Sequence, residues 1–424
     1  MFADLAPDLR RALAALFALA VLCLVLAVAY SHAEWFRDPL RGTLPDITMR
    51  AEVVIASLQA GAVLCVLWAN LLMLAASPAT AAGLLGVASR AARAEEARSR
   101  AWLVALTLAA AYAVARVTFN VETIHASLAE FTAGEARRPF QYRALVPWVV
   151  AGLRHLPALS DVSLWTLYGA VEVVAAFGVW AATASLAGAL LGRPAAGRVA
   201  ALAVFVPLAL NLVPAWRHNN LFFPYDTASV AFFALGLSLL VRERLGWYYL
   251  VFAVATLNRE TSCFLAMAYL ALAWGRVPMT RAAAHVAAQA ALWLALKAGL
   301  WVVFQHTEAI GFGVFVGTLA MTGRVLTAVP GVVYALVVPL GGAATVAWLL
   351  RRRVADDRLR RLAWIVPPFL VGMALVGEVM EVRIYSELIP MVTLSLVVAL
   401  RAVAREASTN ASSVPASSPV PAAG

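Results

Sequence analysis

Between two arginine-bearing turns, residues 246–275 read GWYYLVFAVATLNRETSCFLAMAYLALAWG. The stretch is apolar except near its middle, at Asn258-Arg259-Glu260-Thr261. A helix needs about 20 mostly apolar residues to cross a hydrocarbon core about 30 Å thick. Thirty residues are long for one span and too short for two. Arg242 and Arg244 precede the stretch, and Arg276 and Arg281 follow it. Arginine-rich short loops mark the cytoplasmic side of a membrane, so both ends fall on that side. The reading is a broken helical hairpin whose polar turn lies inside the protein. Non-helical backbone at that depth is tolerated where protein or a water-filled cavity surrounds it.

Working outward, the same logic covers the chain. Of its 424 residues, 63% are hydrophobic and 13% charged, against about 45–50% and about 25% in soluble domains. Apolar runs at 12–30, 51–77, 101–119, 162–188, 198–214, 227–241, 282–304, 326–349, 362–377 and 385–402 are too long and continuous for barrel strands. The expected fold is all-α: a polytopic transmembrane bundle of about ten spans plus the hairpin. The net charge of +10 comes almost wholly from arginine, Lys297 being the one lysine. Because these arginines mostly punctuate spans, the charge follows membrane orientation and gives no reason to invoke nucleic acid. Cys23, Cys65 and Cys263 sit in apolar runs without metal-ligand spacing and read as small core residues. Residues 1–100 read as a two-span addition, and 405–424, rich in Ser, Ala and Pro, as a disordered cytoplasmic tail. Both chain ends are then cytoplasmic, in a bacterial inner membrane.

Charge parity puts the remaining polar clusters on the opposite face, in loops near 31–50, 120–161, 215–226, 305–325 and 378–384. One cluster is Asn120-Val121-Glu122 followed by Arg137-Arg138-Pro139-Phe140-Gln141-Tyr142-Arg143, ahead of an interfacial helix near 144–156. A second runs from His218 and Asn219 to Asp226; the hairpin turn is a third; the fourth holds Glu381, Arg383 and Tyr385. A charge at the bilayer centre costs about 2.5–3.5 kcal/mol on lenient scales. Arg259 and Glu260 therefore either lock the hairpin as an ion pair or receive an anionic headgroup, for which the planar guanidinium fork is suited. Glu122, at the outer end of a span, is placed to take a proton from a hydroxyl at the membrane surface; a solvated loop acid is the alternative. Arg137, Arg138 and Arg143 either bind phosphate or anchor the interfacial helix. Asp226 caps a helix or contacts ligand. Glu381 and Arg383 form a fixed pair or a ligand contact, and Glu172 and Lys297 are intramembrane charges that pair across helices. There is no Walker loop, dinucleotide fingerprint or metal-grade His/Cys/Asp spacing. A divalent metal could assist but is not required.

This order of features resembles the GT-C glycosyltransferase superfamily of bacterial multi-pass proteins. The match rests on an acid just after a span, then Pro139 to Pro147, then Asn258-Arg259-Glu260-Thr261, then Glu381-Val382-Arg383-Ile384-Tyr385. The resemblance implies a core at 101–404, a polyprenyl-phosphate sugar as donor and an unidentified acceptor, at the face away from the cytoplasm. It implies Glu122 as the base, with Arg143, Arg259 and Arg383 on the donor phosphate. Aspartate is commoner at the acidic position in that superfamily, and Glu34, Asp38 and Asp46 in the preceding loop compete for the role. The alternative function is a transporter or flippase for an anionic lipid or solute, using the broken hairpin as a midplane site.

Overall fold

The structure is a computed structural model that describes residues 5–32, 51–77, 95–123, 126–213, 221–309, 339–377 and 381–412. Its helices are α1 (Pro7–His32), α2 (Ala51–Ala76), α3 (Glu95–Phe119), α4 (Leu128–Ala133), α5 (Leu145–Arg154), α6 (Leu164–Leu191), α7 (Pro194–Ala201), α8 (Phe205–Leu212), α9 (Asp226–Val241), α10 (Leu245–Asn258), α11 (Phe264–Ala273), α12 (Met279–Val303), α13 (Ala343–Leu349), α14 (Asp357–Leu362), α15 (Val366–Val376) and α16 (Ile389–Ser412). Two-residue strands β1 (Val121–Glu122) and β2 (Leu221–Phe222) pair in parallel, Val121 against Leu221 and Glu122 against Phe222. The protein is an all-α helical bundle and a multi-pass membrane protein. Among the described residues, eight helices are long and apolar enough to cross a membrane, α7–α8 and α14–α15 each acting as one.

That is fewer than the ten expected spans, for two reasons. Helix α9 has 16 residues, about 24 Å at 1.5 Å per residue, because it starts at a buried aspartate below a layer of loop. Of the run 326–349, only 339–349 lies among the described residues. The helix expected at the interface is α5, whose Trp148 and Val149 are exposed while Val146 and Val150 are buried. Helix α16 runs on to Ser412, eight residues into the stretch read as tail, and 413–424 lie outside the described residues.

The hairpin is present and explained by its neighbours. Helix α10 ends where Arg259 takes an extended conformation (φ −159°, ψ 145°). One turn of 3-10 helix, Glu260–Cys263, then leads into α11. The returning arm seats in two glycine notches: a Cβ on Gly236 of α9 would meet Leu265 at 2.8 Å, and one on Gly372 of α15 would meet Phe264 at 2.5 Å. Such small residues let helices approach closely where lipid offers no hydrophobic drive between them. Each arm packs mainly on α9 and α12.

Side-chain contacts fix which end is which. Arg242, just before α10, donates to the Ser185 carbonyl; Arg358 donates to the carbonyls of Ala189 and Leu190; Arg276, just after α11, pairs with Asp357 at 3.0 Å. The hairpin therefore begins and ends at the C-terminal end of α6, and its turn lies at the other end. Arg353 binds both Asp8 and Glu406, so the described chain also starts and finishes at this arginine-rich end. The first two helices pack on each other and on the C-terminal part of the bundle; Trp68 donates to the Gly341 carbonyl at 2.8 Å.

Cysteines placed singly at Glu243 and Gly275, in a background lacking Cys23, Cys65 and Cys263, are expected to react with an impermeant maleimide from the same side of intact vesicles. Labelling from opposite sides would overturn the hairpin.

Candidate functional site

The site grows from a polar stripe on α3. Tyr112, Arg116 and Asn120 are four apart and so share one helix face. Tyr112 meets the Thr227 hydroxyl at 2.8 Å, and Thr227 in turn donates to Glu172. The Arg116 Nε lies 2.9 Å from Glu172, while its Nη atoms donate to the carbonyls of Leu212 (3.1 Å) and Phe223 (3.0 Å) and to Asp226 (3.3 Å). Asn120 ties the same carbonyl of Leu212 to that of Leu221, which sets β2 beside β1.

The segment that follows, Phe222-Phe223-Pro224-Tyr225-Asp226, is the centre of the arrangement. Three of its rings each carry a guanidinium: Arg116 lies 5.3 Å from the Phe222 centroid, Arg383 3.5 Å from that of Phe223, and Arg143 4.7 Å from that of Tyr225. Aromatic faces attract desolvated cations through the ring quadrupole, so the rings add to the carboxylate that each of these arginines also has, Glu172 for Arg116, Glu381 for Arg383 and Glu260 for Arg143. Asp226 closes it. Its carboxylate is fully buried, accepts hydrogen bonds from Arg116 at 3.3 Å and Arg383 at 3.3 Å, and forms an ion pair with Arg259 at 3.4 Å. As the first residue of α9 it also sits at the positive end of the helix dipole.

The hairpin turn and the C-terminal segment meet this centre. Asn258 donates to the Tyr225 carbonyl (3.0 Å) and the Ser229 hydroxyl (2.8 Å). Arg259 pairs with Glu387 at 3.0 Å, and Glu387 accepts Thr261 at 2.6 Å. Arg383 binds Glu381, both carried by the 3-10 stretch Val382–Leu388 and its leading residue. Beside Arg259 and Glu387, with Ser229, Thr261 and Ser262 on its wall, lies a cavity with room for about one water. Among the described residues, the Nε and Nη1 atoms of Arg259 have no well-directed hydrogen-bond acceptor.

The outermost pair is Arg143 with Glu260. Arg143 also donates to the Tyr225 hydroxyl, and Trp293 donates to the Glu260 carbonyl at 3.1 Å. The Glu260 side chain is 35% exposed, against 0–4% for Asp226, Glu387 and Arg259. The network thus opens outward at Glu260.

The structure brings together most of the residues singled out by sequence, though not in the expected roles. Arg143, Asp226, Asn258, Arg259, Glu260, Glu381 and Arg383 converge. Asp226 is a shared counter-ion rather than a simple cap. Glu172 does pair across helices, with Arg116. Arg137 and Arg138 do not join the network: Arg137 pairs with Glu308 at 3.0 Å and Arg138 donates to the Thr307 carbonyl, fastening their loop to the end of α12. Tyr142 presents its carbonyl to Lys297 (3.5 Å), and Tyr385 is buried in the core. Glu122 is half-buried on β1, outside the ion-pair network. His218 and Asn219 lie outside the described residues, as do Glu34, Asp38 and Asp46. Arg116, Phe222 and Phe223 were missed, and Tyr225 was noted only as a member of the second cluster; the four-residue polar spacing on α3 was the available signal for the first. Among the described residues no three His, Cys, Asp or Glu side chains gather as metal ligands. Comparison with protein-family models, with curated proteins and with solved structures returns no match.

Removing one partner of a buried ion pair costs about 3–5 kcal/mol, because the remaining charge stays uncompensated. Asp226→Asn, which leaves three guanidinium groups facing a neutral amide, is expected to lower the melting temperature of the detergent-purified protein sharply, while Arg137→Gln at its exposed pair shifts it little. An Asp226→Asn protein that melts with the wild type would contradict the assignment.

Proposed function

We propose that the protein is a membrane glycosyltransferase of GT-C type, moving a sugar from a polyprenyl-phosphate donor to an acceptor at the face opposite the arginine-rich loops. The observation that supports this is the gathering of Arg143, Arg259 and Arg383, from three distant segments, around one end of the bundle. By the positive-inside rule the other end, with Arg242, Arg276 and Arg351–Arg361, is cytoplasmic, in a bacterial inner membrane. In this reading the acceptor hydroxyl attacks the anomeric carbon, the bond to the phosphate oxygen breaks, and arginine guanidinium groups stabilise the leaving phosphate. Glu122 takes the acceptor proton. It suits the task better than the network acids: it is half-buried and, among the described residues, pairs with no arginine, whereas Asp226 and Glu387 are already committed to guanidinium groups.

A transporter or flippase for an anionic lipid or solute is the second reading. Its support is the interruption of the helix at Arg259, since broken helices form midplane sites in many carriers.

The test uses purified protein in nanodiscs with a panel of radiolabelled polyprenyl-phosphate sugars. Release of carrier phosphate with label on the acceptor is expected from wild type, reduced about 10²–10⁴-fold in Glu122→Gln with melting unchanged. Full transfer by Glu122→Gln would remove the base assignment. No turnover by wild type across the panel, together with movement of the lipid between leaflets of proteoliposomes, would replace the transferase reading with the second.

A further inference from the structure

The chain's one lysine sits beside the outer part of the network and, among the described residues, has no carboxylate partner. Lys297 is on α12, six residues before its end at Val303, so about 9 Å below the outer end of that helix. Every arginine of the network has a carboxylate within 3.4 Å. Among the described residues Lys297 has none within 4.0 Å, and its ammonium reaches only the Tyr142 carbonyl, at 3.5 Å. An ammonium carries three donors, so most of its capacity is unspent. Yet the group is half-buried beside the network: Tyr142, whose carbonyl it meets, directly precedes Arg143, and Trp293, one turn earlier on α12, donates to the Glu260 carbonyl. At this mouth two cations face one carboxylate, and that carboxylate is already held by Arg143.

The surroundings point to lipid. Most of α12 faces outward, with Leu294, Trp301, Val302 and Val303 exposed, so the approach to Lys297 along α12 is through the bilayer and not through bulk water. The tyrosine and tryptophan beside it, Tyr142 and Trp293, are the residue types that sit at headgroup level. We propose that Lys297, with Arg143, receives the phosphate of a lipid that slides in laterally between α12 and the 140–145 segment. Deepening the transferase reading and resting on it, this names the donor's point of arrival and a positioning residue for its phosphate. In that role the ammonium supplies the charge and Arg143 the second contact, sharing its fork between Glu260 and a phosphate oxygen. Simple snorkelling of a long cationic side chain to the interface makes a different prediction, because it involves no ligand.

The experiment is a binding measurement on the full chain in nanodiscs, independent of any transfer. The probe is a radiolabelled polyprenyl monophosphate, compared with the neutral polyprenol of equal length and competed with phosphatidic acid or inorganic phosphate. Wild type is expected to hold the monophosphate over the polyprenol. Lys297→Met should weaken that binding by about tenfold or more, the scale of one hydrogen bond to a charged group, whereas Lys297→Arg should retain it. Arg154→Gln, an exposed arginine on α5 at the same end, should bind as wild type. Full competition by phosphatidic acid with the same Lys297 dependence would uphold a phosphate-receiving mouth and assign it to ordinary phospholipid; competition by inorganic phosphate alone would assign it to a soluble anion and overturn the lateral lipid route. Undiminished binding by a folded Lys297→Met protein would overturn the proposal and leave the transferase reading standing. Lysine-dependent binding without turnover of any donor would do the reverse.

Discussion

The carboxylate of Asp226 receives guanidinium groups from three separate parts of the chain, and the arrangement of the outer end of the bundle depends on that sharing. Arg116 arrives from α3, Arg259 from the hairpin turn and Arg383 from the segment before α16. None of these charges could remain at that depth alone: an unpaired charge in lipid is expensive, and even a pair recovers its desolvation only with good geometry and further hydrogen bonds. The protein meets the requirement with one acid, one helix dipole and three aromatic faces in a five-residue segment. Glu172 and Glu387 then balance the inner arginines from the flanks, and Glu381 and Glu260 the outer ones. The hairpin turns at Arg259 because its counter-ions lie there, not because the backbone favours a break at that position.

The gradient of exposure through this network suits a division of labour. Its inner members are sealed and hold the helices in register. Of its outer members, Glu260 and Lys297 are partly open, on or beside α12, while Arg143 is buried behind them. In the proposed transferase reading, an anionic ligand approaching from the bilayer meets this outer layer first, with the sealed layer beneath it. On the proposed reading, such preorganised charge would stabilise a leaving phosphate with groups already in place before the charge develops.

How much of this was legible in the sequence follows from how local each signal is. Most of the spans, the arginine-rich end and the hairpin came through because each is encoded within about thirty neighbouring residues. Arg259 and Glu260 stood out because charge inside an apolar run is costly wherever its partners lie. Asp226 was recognised as a helix-start acid, which it is, but its partners lie 110 and 157 positions away, beyond any pattern in the chain. Arg116 was passed over because an arginine three residues from a span's end looks like an interfacial one. Phe222 and Phe223 gave no signal, since two more aromatic residues are unremarked in an apolar chain. Arg137 and Arg138 drew attention by standing on the face opposite the other arginines, and what they do is fasten a loop.

The central claim, that Asp226 is one counter-ion shared among arginines of different segments, is tested most directly by a double-mutant cycle between Asp226→Asn and Arg383→Gln, read as unfolding free energy of the purified membrane protein. Sharing predicts strong non-additivity, with a coupling of about 0.5–3 kcal/mol as expected for residues in one buried network. Additive losses, each variant costing the same in the presence or absence of the other, would contradict it.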